Sequence, residues 1–141
     1  MLTIMSGQTT SRSVPNHAFN TALIATPGEE AGVSDWLWPL LAERSQERRW
    51  IFWIAPAEWP TLGLLCAHGV DPNRVRLVHL AADSDPLPLV ERALRAGTCS
   101  AVLAWPATIE QAQWSRIRQA ACENQALAVL MPSQTDLSLA A

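Results

Sequence analysis

The sequence contains no lysine and no tyrosine, and only two phenylalanines. Without lysine there is no Schiff-base amine, no lysine general base and no phosphate-loop lysine. All ten basic residues are arginines, and thirteen acidic residues give a net charge of −3. That balance opposes general nucleic-acid affinity, which needs a basic face to displace counterions. Long apolar runs are missing too. The longest, Trp50 to Ala57, is far short of the roughly 20 residues that span a bilayer, so no membrane segment is expected. Residues 1–13 are polar and lack the apolar stretch of an export signal. Cysteine is scarce, odd in number and widely spaced (Cys66, Cys99, Cys122). No pair has metal-ligand spacing, and reduced thiols in a cytoplasm are the simplest reading.

What is abundant is tryptophan, with seven among 141 residues. An apolar fraction of 49% and a charged fraction of 16% are enough for one packed core. Residues 1–20 read as a flexible leader, 21–132 as a single domain and 133–141 as a flexible tail.

Within the domain, apolar strands alternate with amphipathic helices. Strands are expected at Ala22–Thr26, from Trp50 through the apolar run, at Val75–Leu80, at Ser100–Trp105 and at Ala126–Met131. Helices are expected from Ser34 or Asp35 to about Glu47, over Thr61–Ala67, over Pro86–Ala96 and from Thr108 to about Asn124. In the first helix Trp36, Leu37, Leu40 and Leu41 share the inward face and Trp38 points away. Gly69 and Gly97 stand where helices end. The run beginning at Trp50 is apolar on both alternating faces, as in a central strand covered on both sides. The fold class is therefore α/β, with a mainly parallel central sheet flanked by helices.

Such sheets bind ligands beyond the carboxyl ends of their strands. The first strand–helix turn, Thr26-Pro-Gly-Glu-Glu-Ala-Gly-Val-Ser-Asp35, has no phosphate-loop pattern. Glu29 and Glu30 at ~5 Å would oppose a phosphate by about 1–3 kcal/mol at an effective dielectric near 20–40. The Ser100–Trp105 strand runs into Pro106 with no carboxylate for a metal. The histidines are scattered, and Cys99 with His79 has no third orienting group. Asp83 and Asp85 read as turn and cap residues before Pro86. No catalytic residue, cofactor or metal is expected.

Binding residues are easier to find. Arg44, Arg48 and Arg49 cluster after the first helix. They suit either a helix C-terminus or an acidic partner. Trp59 lies on a strand-to-helix turn and is not obviously claimed by the core. Arg74 and Arg76 flank the turn Asp71-Pro-Asn-Arg. Trp and Arg are the types enriched at interface hot spots.

Three blocks then carry a resemblance. They are Leu40-Leu41 with Arg49-Trp50-Ile-Phe-Trp-Ile-Ala-Pro56, then Gly69-Val-Asp-Pro-Asn-Arg-Val75, then Val90-Glu-Arg-Ala-Leu-Arg-Ala-Gly97 through Ser100-Ala-Val-Leu-Ala-Trp105. From about Leu37 to Pro132 the chain resembles the SulA family, the SOS-induced inhibitors of bacterial cell division. The same blocks are similar to ImuA, an accessory that partners RecA or an error-prone DNA polymerase. Cys99 and Trp105-Pro106 lean towards ImuA; the shorter length leans towards SulA.

The SulA resemblance implies a RecA-like fold lacking a phosphate-binding loop, no enzymatic activity and a cytoplasmic location. It implies one partner, the tubulin-like GTPase FtsZ, whose polymerisation and assembly-dependent GTPase activity would be blocked. Its partner-binding positions fall on Arg49, Ile54, Leu64 and Arg74. Leu64 departs from a tryptophan and Arg74 from a lysine, and Trp59 is added here as a replacement anchor for the lost tryptophan. The Leu-Ala-Ala ending resembles tags read by ATP-dependent proteases. A homodimer is compatible with this reading.

Overall fold

The computed structural model describes residues 2–3, 21–56, 58–81 and 83–133. The strands are β1 (Leu2–Thr3), β2 (Ala22–Ala25), β3 (Trp50–Ile54), β4 (Val75–Val78), β5 (Cys99–Ala104) and β6 (Leu127–Leu130). The helices are α1 (Trp38–Arg44), α2 (Leu62–Ala67), α3 (Leu87–Ala96) and α4 (Gln111–Glu123). The sheet order is β1-β2-β6-β5-β3-β4. The five strands from β2 to β6 are all parallel, and only β1 pairs antiparallel, with β2. This is the expected α/β class. The expected leader and tail fall almost wholly outside the described residues.

Strand alternation sorts the core into two layers. Ile51, Trp53, Ala101, Leu103, Leu127 and Val129 pack under α1 and α2. Ile54, Val102, Ala104, Ala128 and Leu130 pack under α3 and α4. The strand buried at all six positions is β5; β3, expected as a central strand covered on both sides, lies beside the edge strand β4 and is only part-buried at Trp50 and Phe52. Each helix lies in a crossover between parallel strands, so the order leaves β4 as one open edge of the sheet.

Several local expectations need correction. Asp35–Leu37 is a 3-10 turn and α1 begins only at Trp38. Three residues per turn in that lead-in shift the phase of the helical wheel. Trp38 therefore points inward, 2% exposed, and stacks on His68 at 4.1 Å. Trp36 is only half-buried against the same layer. The helix stops at Arg44 rather than near Glu47, and Arg44 itself is buried, its Nη1 donating to Ser100 O. Burial holds the Arg44 pKa below its ordinary value. It belongs to the core and not to a surface cluster. Helix α4 is capped by Glu110 rather than Thr108, because Glu110 and Gln113 form a reciprocal capping box.

The first turn folds onto itself. Gly28 N donates to Gly32 O, and Ser34 Oγ donates to Thr26 O. Gly32 has φ +73°, and a Cβ there would stand 2.8 Å from Trp105 Nε1. The Trp105 indole cannot easily retreat, since it stacks on Trp53 at 6.0 Å. Gly32→Ala is expected to cost about 1–3 kcal/mol from left-handed strain and this clash. A urea titration showing an unchanged midpoint would contradict it.

Candidate functional site

The residues expected to bind a partner run from Arg49 to Arg74, which is the β3–α2–β4 unit at the open edge. The structure separates them into three kinds.

Ile54 is 1% exposed and packs beneath α3 and α4. It offers no surface to a partner, so its assignment as a contact is corrected to a core role. The sequence already held the reason, since a strand apolar on both faces turns both faces inward.

Arg49 and Arg74 serve the chain's own backbone. Arg49 donates from Nη1 to Asn124 O, from Nη2 to Gln125 O and from Nε to Glu47 Oε1, each at 2.9 Å. It thus ties the start of β3 to the carbonyls that end α4. Arg74 Nη1 donates to Arg48 O at 2.8 Å. Both are half-buried, and both sit near the amino ends of β3 and β4.

Trp59 and Leu64 are on the far side of β3, in the loop and helix that follow it. Trp59 is 40% exposed and lies against His79, with ring centroids 4.2 Å apart. Leu64 is half-buried against the layer beneath α1 and α2. The backbone N–H of Leu64 donates to Thr61 Oγ1, which caps α2.

Two neighbours were missed from sequence. The large hydrophobic side chains exposed among the described residues are Trp59, Leu62 at 66% and Leu77 at 43%. All three belong to the β3–α2–β4 unit. Leu77 lies on an edge strand and Leu62 opens a six-residue helix. Neither short element has enough turns for periodicity to tell its inner from its outer face.

At the carboxyl ends of β3, β4 and β5 lies an open cleft of about 680 Å³. Trp59, His79, Asp83, Asp85 and Glu110 are among its lining, and no arginine is. Asp85 accepts from Leu87 N and from Gln113 Nε2, and so holds the start of α3. A cleft with three carboxylates and no arginine repels phosphate. Among the described residues, no group of three or more His, Cys, Asp or Glu is placed to hold a metal. No helix there is long and apolar enough to cross a membrane.

The thiols fit no nucleophilic site. Cys99 is buried at the amino end of β5, and its Sγ donates to Ala93 O. His79 lies beyond the carboxyl end of β4, so the two do not meet. Burial pushes the Cys99 thiol up to about 11. Near pH 8 only about one Cys99 in a thousand is then thiolate. Aromatic disulfide reagents are expected to label the exposed Cys66 and Cys122 in the folded chain, and Cys99 only after unfolding. Three thiols reacting at one rate would contradict this packing.

Comparison with known proteins agrees with the geometry. The family model described as cell division inhibitor SulA matches residues 24–128. The cell division inhibitor SulA of Edwardsiella piscicida is 32% identical over 104 residues, covering 73% of this chain and 62% of that protein. The SulA of Photorhabdus laumondii is 29% identical over 98 residues, covering 70% of this chain and 55% of that protein. The chain thus spans less than two thirds of the length of these curated relatives. The crystal structure of SulA from Pseudomonas aeruginosa superposes with a TM-score of 0.62 at 27% identity. That match covers 79% of this chain and 95% of the other. With the family model matched over most of the domain and the fold shared with a solved member, this chain belongs to the SulA family of cell division inhibitors.

Proposed function

We propose that this chain is an SOS-induced inhibitor that binds FtsZ in the cytoplasm and stops its polymerisation by occupancy, without catalysis. The observation that carries the reading is the convergence of two facts on one unit. The family match runs through residues 49–77, and the exposed Trp59, Leu62 and Leu77 all lie there. Exposed apolar side chains and arginines on one open-edge unit suit a protein partner. A stable interface of this kind buries about 1,600 Å² in total, with a few side chains dominating. The acidic, arginine-free cleft favours a fold used for binding over one used for nucleotide turnover.

Overproduction in undamaged cells tests the reading in vivo. Long undivided cells are expected. Normal division would overturn it and return the ImuA-like alternative, a partner of RecA or of an error-prone polymerase.

A further inference from the structure

We propose that the guanidinium that meets the partner is that of Arg76, seated on the Trp50 indole, and that it receives a carboxylate of the partner. This rests on the FtsZ-binding reading and deepens it. Availability singles out Arg76. Arg49 gives three of its N–H groups to Asn124, Gln125 and Glu47, and Arg74 is tied to Arg48 O through Nη1. Withdrawing them would orphan the carbonyls they serve. Arg76 is exposed on the open edge strand and has no hydrogen-bond or ion-pair partner among the described residues. Its Cζ lies 4.2 Å from the centroid of the Trp50 ring, and the Arg74 Cζ lies 5.8 Å from the same ring.

A strand covered on both sides would bury Trp50, but it is half-exposed. Its ring provides a seat. A planar guanidinium resting on an indole keeps its N–H edge turned outward and loses less rotamer freedom on binding than an unsupported side chain. That edge matches a carboxylate in the paired geometry that arginine favours. Arg48 is also exposed, and among the described residues it has neither an ion pair nor an aromatic seat. Two arginines over one ring also keep the local field positive, so an acidic partner group is favoured and a basic one repelled.

The test is binding of purified FtsZ to the full chain by sedimentation velocity, at about 50 and about 300 mM salt. Arg76→Gln is expected to weaken binding at low salt by about tenfold or more, and to flatten the salt dependence. Arg48→Gln is expected to stay within about twofold of wild type, as for a contact outside the hot spot. The melting temperature of Arg76→Gln should fall by no more than a few degrees, since no folded-state hydrogen bond is removed and an exposed cation–π contact is worth about 0.5–1 kcal/mol. If wild type binds and Arg76→Gln binds equally with the same salt dependence, the assignment is overturned alone. If wild type itself fails to bind, the FtsZ reading falls and the assignment with it.

Discussion

Trp53→Ala is expected to lower the unfolding free energy by about 3–5 kcal/mol, a large part of the roughly 5–15 kcal/mol that a domain of this size has. Trp53 is fully buried in the centre of the layer beneath α1 and α2. Its ring sits between Trp38 at 6.1 Å and Trp105 at 6.0 Å. Truncation removes both aromatic contacts and leaves a cavity that three surrounding elements must collapse to fill. β3 is paired on both sides and cannot shift to do so. Trp53→Phe separates volume from polarity. The Trp53 indole N–H finds no acceptor among the described residues, so phenylalanine sacrifices no protein hydrogen bond. It is expected to cost less than half as much as alanine. Urea unfolding followed by far-ultraviolet circular dichroism decides both points. A loss below about 1 kcal/mol for Trp53→Ala would mean that this layer is not close-packed.

Trp59→Ala is expected to raise the amount of chain needed to inhibit FtsZ assembly by about thirtyfold, which corresponds to about 2 kcal/mol of binding. Trp59 rests on His79 at the surface and has no place in either buried layer. Its removal should therefore move the melting temperature by no more than a few degrees. Leu62→Ala and Leu77→Ala are expected to act in the same direction with smaller effect, since leucine is rarer at hot spots than tryptophan. Undiminished inhibition by Trp59→Ala would remove the loop after β3 from the interface.

Much of the fold was legible because it is written in local pattern. The run from Trp50 declared a strand, fully buried on the Ile51–Trp53 face and in part on the Trp50–Phe52 face. Gly97 marked the end of α3 and adopts the left-handed conformation that the position requires, φ +74°. Thr61 and Asp85 were readable as residues that start helices, and their side chains accept from Leu64 N and Leu87 N. The candidate site was legible only as a stretch of chain. The roles of its residues depend on partners distant in sequence. Arg49 looked like a surface cation until β6 and α4 brought Asn124 and Gln125 beside it, 75 and 76 residues away. Ile54 was assigned from family resemblance against the strand's own pattern, and the pattern was the better guide to its burial. Trp38 was misread because a 3-10 lead-in of three residues leaves no mark in hydrophobic periodicity. Trp50 begins β3, where cover by α3 and α4 thins, and no sequence rule gives the extent of a helix's cover.

The proposed role of the chain is to block FtsZ assembly by binding it. Its most direct test is a titration of the purified full chain into FtsZ with GTP. Pelleted polymer and GTP hydrolysis are read from the same samples, because hydrolysis follows assembly. Both should fall together and reach their floor near one chain per FtsZ. Unchanged polymer and hydrolysis at a molar excess of the chain would contradict it.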